Sequence, residues 1–360
     1  MTTRDSTRKA EEATAYSKFY HSLCSVQDIL SSGNGSDLAS KPMPAIPFES
    51  LLFGEAFNSL RSSAAKVKIA SDPARYLVFK GVSFKEYLVL EPALYNCRRD
   101  GTYRELDVLC KKIPLGPHIM SPPEALVVIR SDDEDERVCG MLYPYYRNGS
   151  FAHALDRSVK LGIRIPLAKK AKWCYQIVSG IYHVHTNGQS WHQDLKPPNI
   201  LLDDNEDIII IDWEQGIGGT NTFTAAPETY HDVDAHYSEG EKSKVLYIPH
   251  GGPPRMNNII STPHWDVFPT WSVHCRKAVE LAEVYSLGAT MFLTLEQVAL
   301  EYVPGIEDYS RTSLVWSIAS RDIPQPWKDV VDACVRQDPN ERISMKELLL
   351  FWDSERHKLD

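Results

Sequence analysis

The stretch His192-Gln193-Asp194-Leu195-Lys196-Pro197-Pro198-Asn199-Ile200-Leu201-Leu202 decides the fold of this chain. Between Asp194 and Asn199 it brings together a carboxylate, an ammonium and an amide, with apolar residues on both sides. This layout predicts a short polar loop between two small strands. A second acid, Asp212, follows thirteen residues after Asn199 and ends the apolar run Ile208-Ile209-Ile210-Ile211. A carboxylate and an amide on such a loop can point at a shared ligand.

The order and spacing of these residues resemble the catalytic loop and metal-binding acid of the protein kinase family, H-R-D-L-x-x-x-N followed by D-F-G. This chain reads H-Q-D-L-K-P-P-N and then D-W-E. The resemblance implies an α+β, bilobal protein-kinase-like fold with a small β-rich N-lobe and a larger, mainly helical C-lobe. Within the family, the chain resembles the divergent kinase-like proteins common in fungi. The alternative is an Asp-Pro-Asn turn in an ordinary hairpin.

Composition limits the function classes. The chain has 360 residues, 43% of them apolar and 24% charged, which is typical of a globular protein with a large core. A net charge of -9 argues against nucleic-acid and anionic-membrane partners, and we expect neither. Seven cysteines without C-x-x-C spacing, and no recognisable signal peptide, predict a reducing compartment. We expect a cytoplasmic location, with the nucleus as the alternative.

Several further segments resemble the kinase large lobe. Leu167 to Asn187 has the apolar periodicity of a long helix that ends at Asn187-Gly188. Three motifs follow it: Ala226-Pro227-Glu228 matches A-P-E, Glu283-Val284-Tyr285-Ser286-Leu287-Gly288 resembles D-V-W-S-L-G with Glu for Asp, and Asp338-Pro339-Asn340-Glu341-Arg342 resembles D-P-x-x-R. The resemblance implies a buried ion pair between Glu228 and Arg342.

The small lobe matches the family less well. Tyr76 to Gly81 resembles the second strand, which makes Tyr87 to Leu90 the expected third strand. That third strand lacks V-A-I-K, and no G-x-G-x-x-G precedes the second strand. Lys80 or Lys85 would then have to replace the missing lysine. Glu105, on a helix predicted over Tyr103 to Leu109, is implied as its acidic partner.

The resemblance also implies where a nucleotide binds. Val138 to Ser150 resembles the fifth strand and the hinge, with Tyr143 as gatekeeper and backbone groups near Tyr146 bonding adenine. Lys80 and Glu105 complete the nucleotide-binding set. ATP and Mg²⁺ are the implied cofactors.

These matches predict the domain organisation. Residues 1–71 are expected to be an N-terminal extension, partly disordered, with a lobe-covering helix indicated by the spacing of Leu52, Phe53, Phe57 and Leu60. Residues 72–147 would form the N-lobe and hinge, and residues 148–355 the C-lobe. An insertion at about residues 229–278 holds five histidines and Cys275 at irregular spacing. It predicts an aromatic-packed loop rather than a zinc site.

The resemblance assigns roles to four catalytic residues. Asp194 would orient the attacking hydroxyl group and accept its proton, and Lys196 would neutralise the transferred phosphoryl group. Asn199 and Asp212 would hold Mg²⁺, a hard ion that prefers oxygen ligands. Gln193 stands where many relatives have an arginine that grips a phosphorylated activation loop, so activation by that route is not expected.

Three functions remain open on the sequence. The first is a serine/threonine protein kinase that acts on a protein substrate. The second is a pseudokinase that serves as a binding module, favoured by the missing V-A-I-K lysine and glycine loop. The third is a small-molecule kinase of the aminoglycoside or choline type, favoured by the text I-D-W-E. The A-P-E and D-P-x-x-R motifs favour the first function over the third.

Overall fold

A computed structural model describes residues 3–31, 43–57, 64–131, 134–215, 226–234, 244–251, 267–298 and 314–359. The chain divides into two compact units. The first comprises Met1–Lys111 and Ser121–Tyr145, and the second comprises Lys112–Met120 and Tyr146–Asp360. The first unit contains a six-stranded sheet and the second is mainly helical, which confirms the predicted α+β fold class.

The first unit is built on one sheet with strand order β1-β5-β6-β4-β3-β2. Its strands are β1 (Ala45–Pro47), β2 (Leu51–Ala56), β3 (Ala64–Ile69), β4 (Asp72–Gly81), β5 (Ala125–Ser131) and β6 (Glu134–Pro144). All neighbouring pairs are antiparallel except β1 with β5. Its helices are α1 (Thr3–Ser22), α2 (Val26–Ser31), α3 (Phe84–Val89) and α4 (Pro92–Asp107).

The helix expected from the spacing of Leu52, Phe53, Phe57 and Leu60 is wrong. Leu51–Ala56 is a strand paired with β3, and Leu60 lies outside the described residues. Leu52 and Phe53 are about half exposed, so their apolar spacing does not mark a buried helix face. Cross-strand pairing decides the structure here instead of the local pattern. The sheet therefore begins well before residue 72.

The expected third strand at Tyr87 to Leu90 is also wrong. Phe84–Val89 is a helix, which starts at Ser83 with a capping box. The Ser83 hydroxyl accepts a hydrogen bond from the Glu86 backbone N–H, and the Glu86 carboxylate accepts one from the Ser83 N–H. The text Ser-x-x-Glu is a helix-start signal that the strand assignment overlooked.

These corrections renumber the strands of the small lobe. In the antiparallel series β2-β3-β4, the strand that carries Lys80 is the third and not the second. The connection between the first two strands covers residues 57–63, of which 58–63 lie outside the described residues. The G-x-G-x-x-G motif was therefore sought in the wrong place, because residues 69–72 form the turn between β3 and β4.

The second unit has six helices and two small sheets among its described residues. The helices are α5 (Phe151–Lys160), α6 (Leu167–Asn187), α7 (Phe268–His274), α8 (Arg276–Glu296), α9 (Gln325–Cys334) and α10 (Met345–His357). The strand pairs are β7 (Ile200–Leu202) with β8 (Ile208–Ile210), and β9 (His231–Val233) with β10 (Tyr247–Pro249). Helix α6 confirms the predicted long helix, and its C-cap is Gly188.

Helix α8 is largely buried in the second unit. By length and composition alone it is the one described helix that could cross a membrane, yet 89% of its most apolar window is buried inside the protein. Gly288 explains the glycine of the S-L-G text. A Cβ atom there would lie 2.5 Å from the Cβ of Cys334 on α9, so only glycine allows the two helices to pack this closely.

The described part of the insertion is ordered by aromatic packing, as predicted. Phe268 and Trp271 are buried, and their rings stack with centroids 5.8 Å apart. The Asn340 side chain accepts a hydrogen bond from the Val245 N–H at 2.7 Å and donates one to the Val245 carbonyl oxygen at 3.1 Å. Two of the five histidines, His236 and His264, lie outside the described residues.

The implied ion pair between Glu228 and Arg342 is present. The guanidinium group makes two hydrogen bonds to the carboxylate, one of them from Nη2 to Oε2 at 2.9 Å. It also donates to the carbonyl oxygens of Leu281 and Arg336. The Arg342 side chain is fully buried and the Glu228 side chain is 6% exposed. Two motifs 114 positions apart are therefore joined inside this unit.

Arg342→Ala should destabilise the protein strongly, because it leaves the Glu228 carboxylate buried without its partner. The expected loss is ~3–5 kcal/mol in the free energy of unfolding. Urea denaturation measures it, with Arg147→Ala as the control, since Arg147 pairs with Asp204 on the surface. An Arg342→Ala protein that unfolds at the parent's urea concentration would contradict the importance of the buried pair.

Candidate active site

A buried carboxylate fixes the start of the loop from His192 to Asn199. Oε1 of Glu283, on α8, accepts hydrogen bonds from the backbone N–H groups of His192 at 2.9 Å and Gln193 at 2.7 Å. Gln193 has a φ of 74°, in the left-handed region that is unfavourable for a non-glycine residue. Two consecutive N–H groups that converge on one anion offset that strain.

The same carboxylate has a second partner on α6. Oε2 of Glu283 lies 2.7 Å from Nε2 of His185. Burial alone would raise the pKa of Glu283, but the hydrogen bond and charge of His185, together with the Gln193 N–H, lower the pKa overall. His185 therefore makes a polar contact with the carboxylate that holds the loop.

His192 connects the loop to the segment that carries Asp212. Its Nε2 lies 2.8 Å from the Ile211 carbonyl oxygen, and its Nδ1 accepts a hydrogen bond from the Asp194 N–H at 3.2 Å. Because Nε2 faces a carbonyl oxygen and Nδ1 accepts a hydrogen bond, we place the ring proton on Nε2. Trp213 is fully buried, and its ring meets that of His192 edge-on with centroids 4.6 Å apart. Trp213 thus packs beneath the loop.

Asp194 lies at the centre of the loop's polar groups. Its Oδ2 accepts hydrogen bonds from Nζ of Lys196 at 2.7 Å and from Nδ2 of Asn199 at 3.0 Å. Asn199 also donates to the Asp194 carbonyl oxygen at 2.8 Å. Within the described part of the chain, Oδ1 of Asp194 is buried and accepts no hydrogen bond. One carboxylate oxygen is held by the loop while the other keeps its acceptor capacity.

The backbone places Asp212 next to the same loop. The Ile211 N–H donates to the Asn199 carbonyl oxygen at 3.0 Å, and the Ile211 carbonyl oxygen faces His192. Asp212 follows with a φ of 69°, a conformation that aspartate tolerates better than most residues. Its carboxylate approaches that of Glu214 within 4.8 Å. Two carboxylates this close favour a cation nearby.

The strands around the loop differ from the expectation in one respect. The loop was expected between two small strands, but β7 only follows it and pairs with β8. In the described stretch from residue 188 to residue 196, no strand precedes the loop. The hydrogen bonds to Glu283 take over the positioning that a preceding strand would supply.

The first unit holds the other predicted site residues. Nζ of Lys80, on β4, lies 2.7 Å from Oε2 of Glu105, and the Tyr143 hydroxyl donates to Oε1 of Glu105 at 2.9 Å. The Glu105 side chain is fully buried and that of Lys80 is 14% exposed. Burial, and then the charge of Glu105, raise the pKa of Tyr143, so the hydroxyl stays protonated as a donor. Lys85 lies on α3 and not on the sheet.

The sheet face that carries Lys80 has a feature that the sequence did not signal. Val78 lies two residues before Lys80 on β4 and pairs with Lys66 and with Tyr143 on the neighbouring strands. Nζ of Lys66 lies 4.0 Å from the centre of the Tyr76 ring and 4.1 Å from that of Tyr145. Only the strand register brings this lysine and these tyrosines together, so no local motif could have found them.

Comparison with known proteins points to one family. The profile of the protein kinase domain matches residues 117–230, which are 114 of the 360 residues. This segment holds the whole loop, Asp212 and the A-P-E motif. The match supports the resemblance to the protein kinase superfamily on which the predicted site rests, while the assignment to a fungal branch stays a prediction.

Three relatives are kinases by name, and two of them are named serine/threonine kinases. A probable serine/threonine-protein kinase of Dictyostelium discoideum is 25% identical over 229 residues, which are 60% of this chain and 11% of the relative. Serine/threonine-protein kinase SSK22 of Saccharomyces cerevisiae is 28% identical over 221 residues, 57% of this chain and 14% of the relative. The yeast fatty acyl-CoA synthetase and RNA processing-associated kinase 1 is 30% identical over 129 residues, 35% of this chain and 12% of the relative.

The alignments thus span little more than a tenth of each relative's length. Lys80 lies on β4, the third strand of the series β2-β3-β4, and pairs with Glu105. The sequence alignment placed it one strand too early, because it counted strands from Tyr76.

Glu283→Gln should destabilise the protein at neutral pH, because an amide cannot replace the anion beneath two N–H groups and His185. The folded-state pKa of Glu283 is lowered, so its stabilisation is complete above the unfolded value of about 4.3. It is lost as the pH falls through the lower, folded-state value. Urea unfolding should therefore show a gap between parent and variant at about pH 7 that narrows below about pH 4.

The exposed capping glutamate Glu347 supplies the matched control. Glu347→Gln should change the free energy of unfolding much less than Glu283→Gln does. A Glu283→Gln protein as stable as its parent at neutral pH would remove Glu283 as the anchor of the loop.

Proposed function

We propose that this chain is a serine/threonine protein kinase, which transfers the γ-phosphate of ATP to a protein hydroxyl group with Mg²⁺. The observation that carries the proposal is the 2.7 Å contact between Nζ of Lys80 and Oε2 of Glu105. A protein kinase needs this ion pair to position the nucleotide phosphates. Its apparent absence was the main argument for a pseudokinase.

Asp194 is the proposed catalytic base. Its Oδ2 is occupied by Lys196 and Asn199, whereas its Oδ1 has the capacity to accept a further hydrogen bond. A substrate hydroxyl group that donates to Oδ1 would be oriented for attack, and its proton would pass to this carboxylate. Asn199 continues to hold Oδ2 when Lys196 turns to the phosphate, and so keeps the carboxylate oriented.

The two lysines act on phosphate charge. Lys196, whose side chain is 27% exposed, can turn from Asp194 toward the transferred phosphoryl group and neutralise part of its charge. Lys80 would hold the α- and β-phosphates, with Glu105 fixing its direction. Tyr143 holds the second oxygen of Glu105, so the acid presents a single orientation to Lys80.

Asn199 and Asp212 are the proposed metal ligands. They offer an amide oxygen and a carboxylate, the hard oxygen donors that Mg²⁺ prefers. The Ile211 backbone bonds bring them together, and the nearby Glu214 carboxylate increases the negative charge. When bound, Mg²⁺ would neutralise charge on the phosphates. The donor set therefore fits the ion that the family implies.

Two features support a kinase that does not depend on activation-loop phosphorylation. Gln193, in the place of the phosphate-binding arginine, is neutral and buried at 7% exposure. Glu283 and His185 hold the loop without that arginine. A pseudokinase is the second candidate, because Glu214 adds a negative charge where anionic phosphates would bind.

The expected partners follow from the same proposal. A chain with a net charge of -9 favours ATP and a protein substrate over a nucleic acid or an anionic membrane. The free cysteines support a reducing location, which we take to be the cytoplasm, with the nucleus as the alternative. The A-P-E and D-P-x-x-R ion pair favours a protein kinase over a small-molecule kinase.

Asp194→Asn should abolish phosphoryl transfer and leave ATP affinity nearly unchanged, because the carboxylate acts on the substrate hydroxyl group. Asp212→Asn should instead weaken Mg²⁺-dependent ATP binding, because it removes a charged metal ligand. Calorimetric titration and a γ-phosphate transfer assay separate the two effects. Equal loss of ATP affinity in both variants would contradict the division of roles.

Lys80→Met should lower ATP affinity or turnover, on the order of tenfold or more, and Glu105→Gln should show a matching loss. Lys85→Met is the control, since Lys85 lies on helix α3, outside the sheet, and should behave like the parent. The same two assays apply. If the Lys80 and Glu105 variants bind and turn over ATP like the parent, the pair has no catalytic role.

A further inference from the structure

Helix α4 must be held in one position for Glu105 to reach Lys80. Glu105 lies two residues before the last residue of α4 and is fully buried. In protein kinases the position of this helix controls whether the ion pair with the lysine forms. The contacts that hold α4 in place are therefore expected to affect activity.

A short N-terminal segment packs against α4. We name residues Phe19–Ser25 the N-terminal clamp; its residues Phe19, Tyr20 and Leu23 are almost completely buried. The Cys24 N–H donates a hydrogen bond to the Tyr103 hydroxyl oxygen at 3.0 Å. That hydroxyl donates in turn to the Val138 carbonyl oxygen at 2.7 Å.

A third bond completes the connection. The Val138 N–H donates to the Cys24 carbonyl oxygen at 2.9 Å. Residues of the clamp, of α4 and of β6 are thus joined in a closed set of three hydrogen bonds. Tyr103 is at its centre, two residues before Glu105 on the same helix. Burial raises the pKa of Tyr103, so its hydroxyl group remains a donor at neutral pH.

The clamp has three further contacts with α4. Nη1 of Arg99 donates to the Ser22 carbonyl oxygen at 3.3 Å, and the hydroxyl groups of Ser22 and Tyr95 lie 3.2 Å apart. The Phe19 ring packs against the Tyr95 ring with centroids 6.3 Å apart, and against Tyr87 at 5.7 Å. Apolar burial and hydrogen bonds act on the same face of the helix.

The clamp is also attached to β6. Nη1 of Arg137 donates to the Leu23 carbonyl oxygen at 3.2 Å, and Ser25 forms a β-bridge with Arg137. The Tyr20 hydroxyl donates to the Asp135 carbonyl oxygen. The segment therefore contacts both the helix that carries Glu105 and the strand that carries Tyr143, the second partner of Glu105.

We propose that the N-terminal clamp, acting through Tyr103, positions α4 so that Glu105 meets Lys80, and that docking of this segment sets the activity of the kinase. The inference rests on the proposed function. It gives this chain an intramolecular control in place of activation-loop phosphorylation, for which Gln193 lacks the charge. Tyr103 is a positioning residue: its hydroxyl group bonds the backbone of Cys24 and Val138, and its effect is expected through Glu105.

The test uses the full chain with Tyr103→Phe, which keeps the ring and removes the hydroxyl group at the centre of the three bonds. Amide hydrogen exchange of α4 is measured without nucleotide. The expected result is faster exchange across α4, on the order of tenfold, with little change in the second unit. Tyr247→Phe is the control, because the Tyr247 hydroxyl is buried in the second unit and makes no hydrogen bond within the described residues.

A double-mutant cycle separates positioning from general stability. Tyr103→Phe should lower ATP affinity and turnover in the parent, but add no further loss in a Glu105→Gln background, because both changes act on one pair. An equal further loss in that background would overturn the proposal. Unchanged exchange of α4 in Tyr103→Phe would also overturn it.

A second variant covers the case in which Tyr103→Phe does not fold. Phe19→Leu keeps an apolar side chain but loses the ring contacts with Tyr95, and it should also raise the exchange of α4. If the parent binds no nucleotide, the proposed function fails, whereas the exchange experiment still decides whether the clamp holds α4. Slow exchange of α4 in both variants would reject the clamp.

Discussion

The buried carboxylate of Glu283 is the interaction on which the catalytic loop depends. It accepts hydrogen bonds from two backbone N–H groups and contacts His185. These bonds stabilise the left-handed backbone conformation of Gln193, which is otherwise unfavourable. His192 can then face Ile211, whose two backbone groups place Asp212 beside Asn199. A single buried anion thereby orders the groups proposed for proton transfer and metal binding, without the arginine found in many relatives.

The sequence predicted the large lobe well because its signals are local. The loop, the helix Leu167–Asn187 and the two motifs joined by Glu228 and Arg342 each carry their information in a few adjacent residues. The small lobe was predicted poorly because its organisation rests on strand register. Leu52 and Phe53 imitate a helix pattern while lying half exposed on a strand, and the count of strands then placed Lys80 one strand too early.

Lys80 shows what that error meant for function. Because Lys80 was assigned to the second strand, its ion pair with Glu105 was interpreted as a substitute for a missing lysine on the third strand. The observed sheet makes the pair an ordinary feature of the third strand, held on the far side by Tyr143. No short motif marks a contact that depends on strand register, such as that of Lys66 with Tyr76 and Tyr145. The same holds for contacts between residues distant in sequence, such as Cys24 with Tyr103.

Phosphate transfer by the full chain is the most direct test of the central claim, that this chain is an active protein kinase. The purified protein is incubated with Mg²⁺ and ATP labelled at the γ-phosphate, together with a library of serine- and threonine-containing peptides. The account predicts label on serine or threonine, in the peptides or in the chain itself, that disappears when EDTA removes the metal. Binding of Mg²⁺ and ATP with no transfer of label would contradict it and leave a pseudokinase.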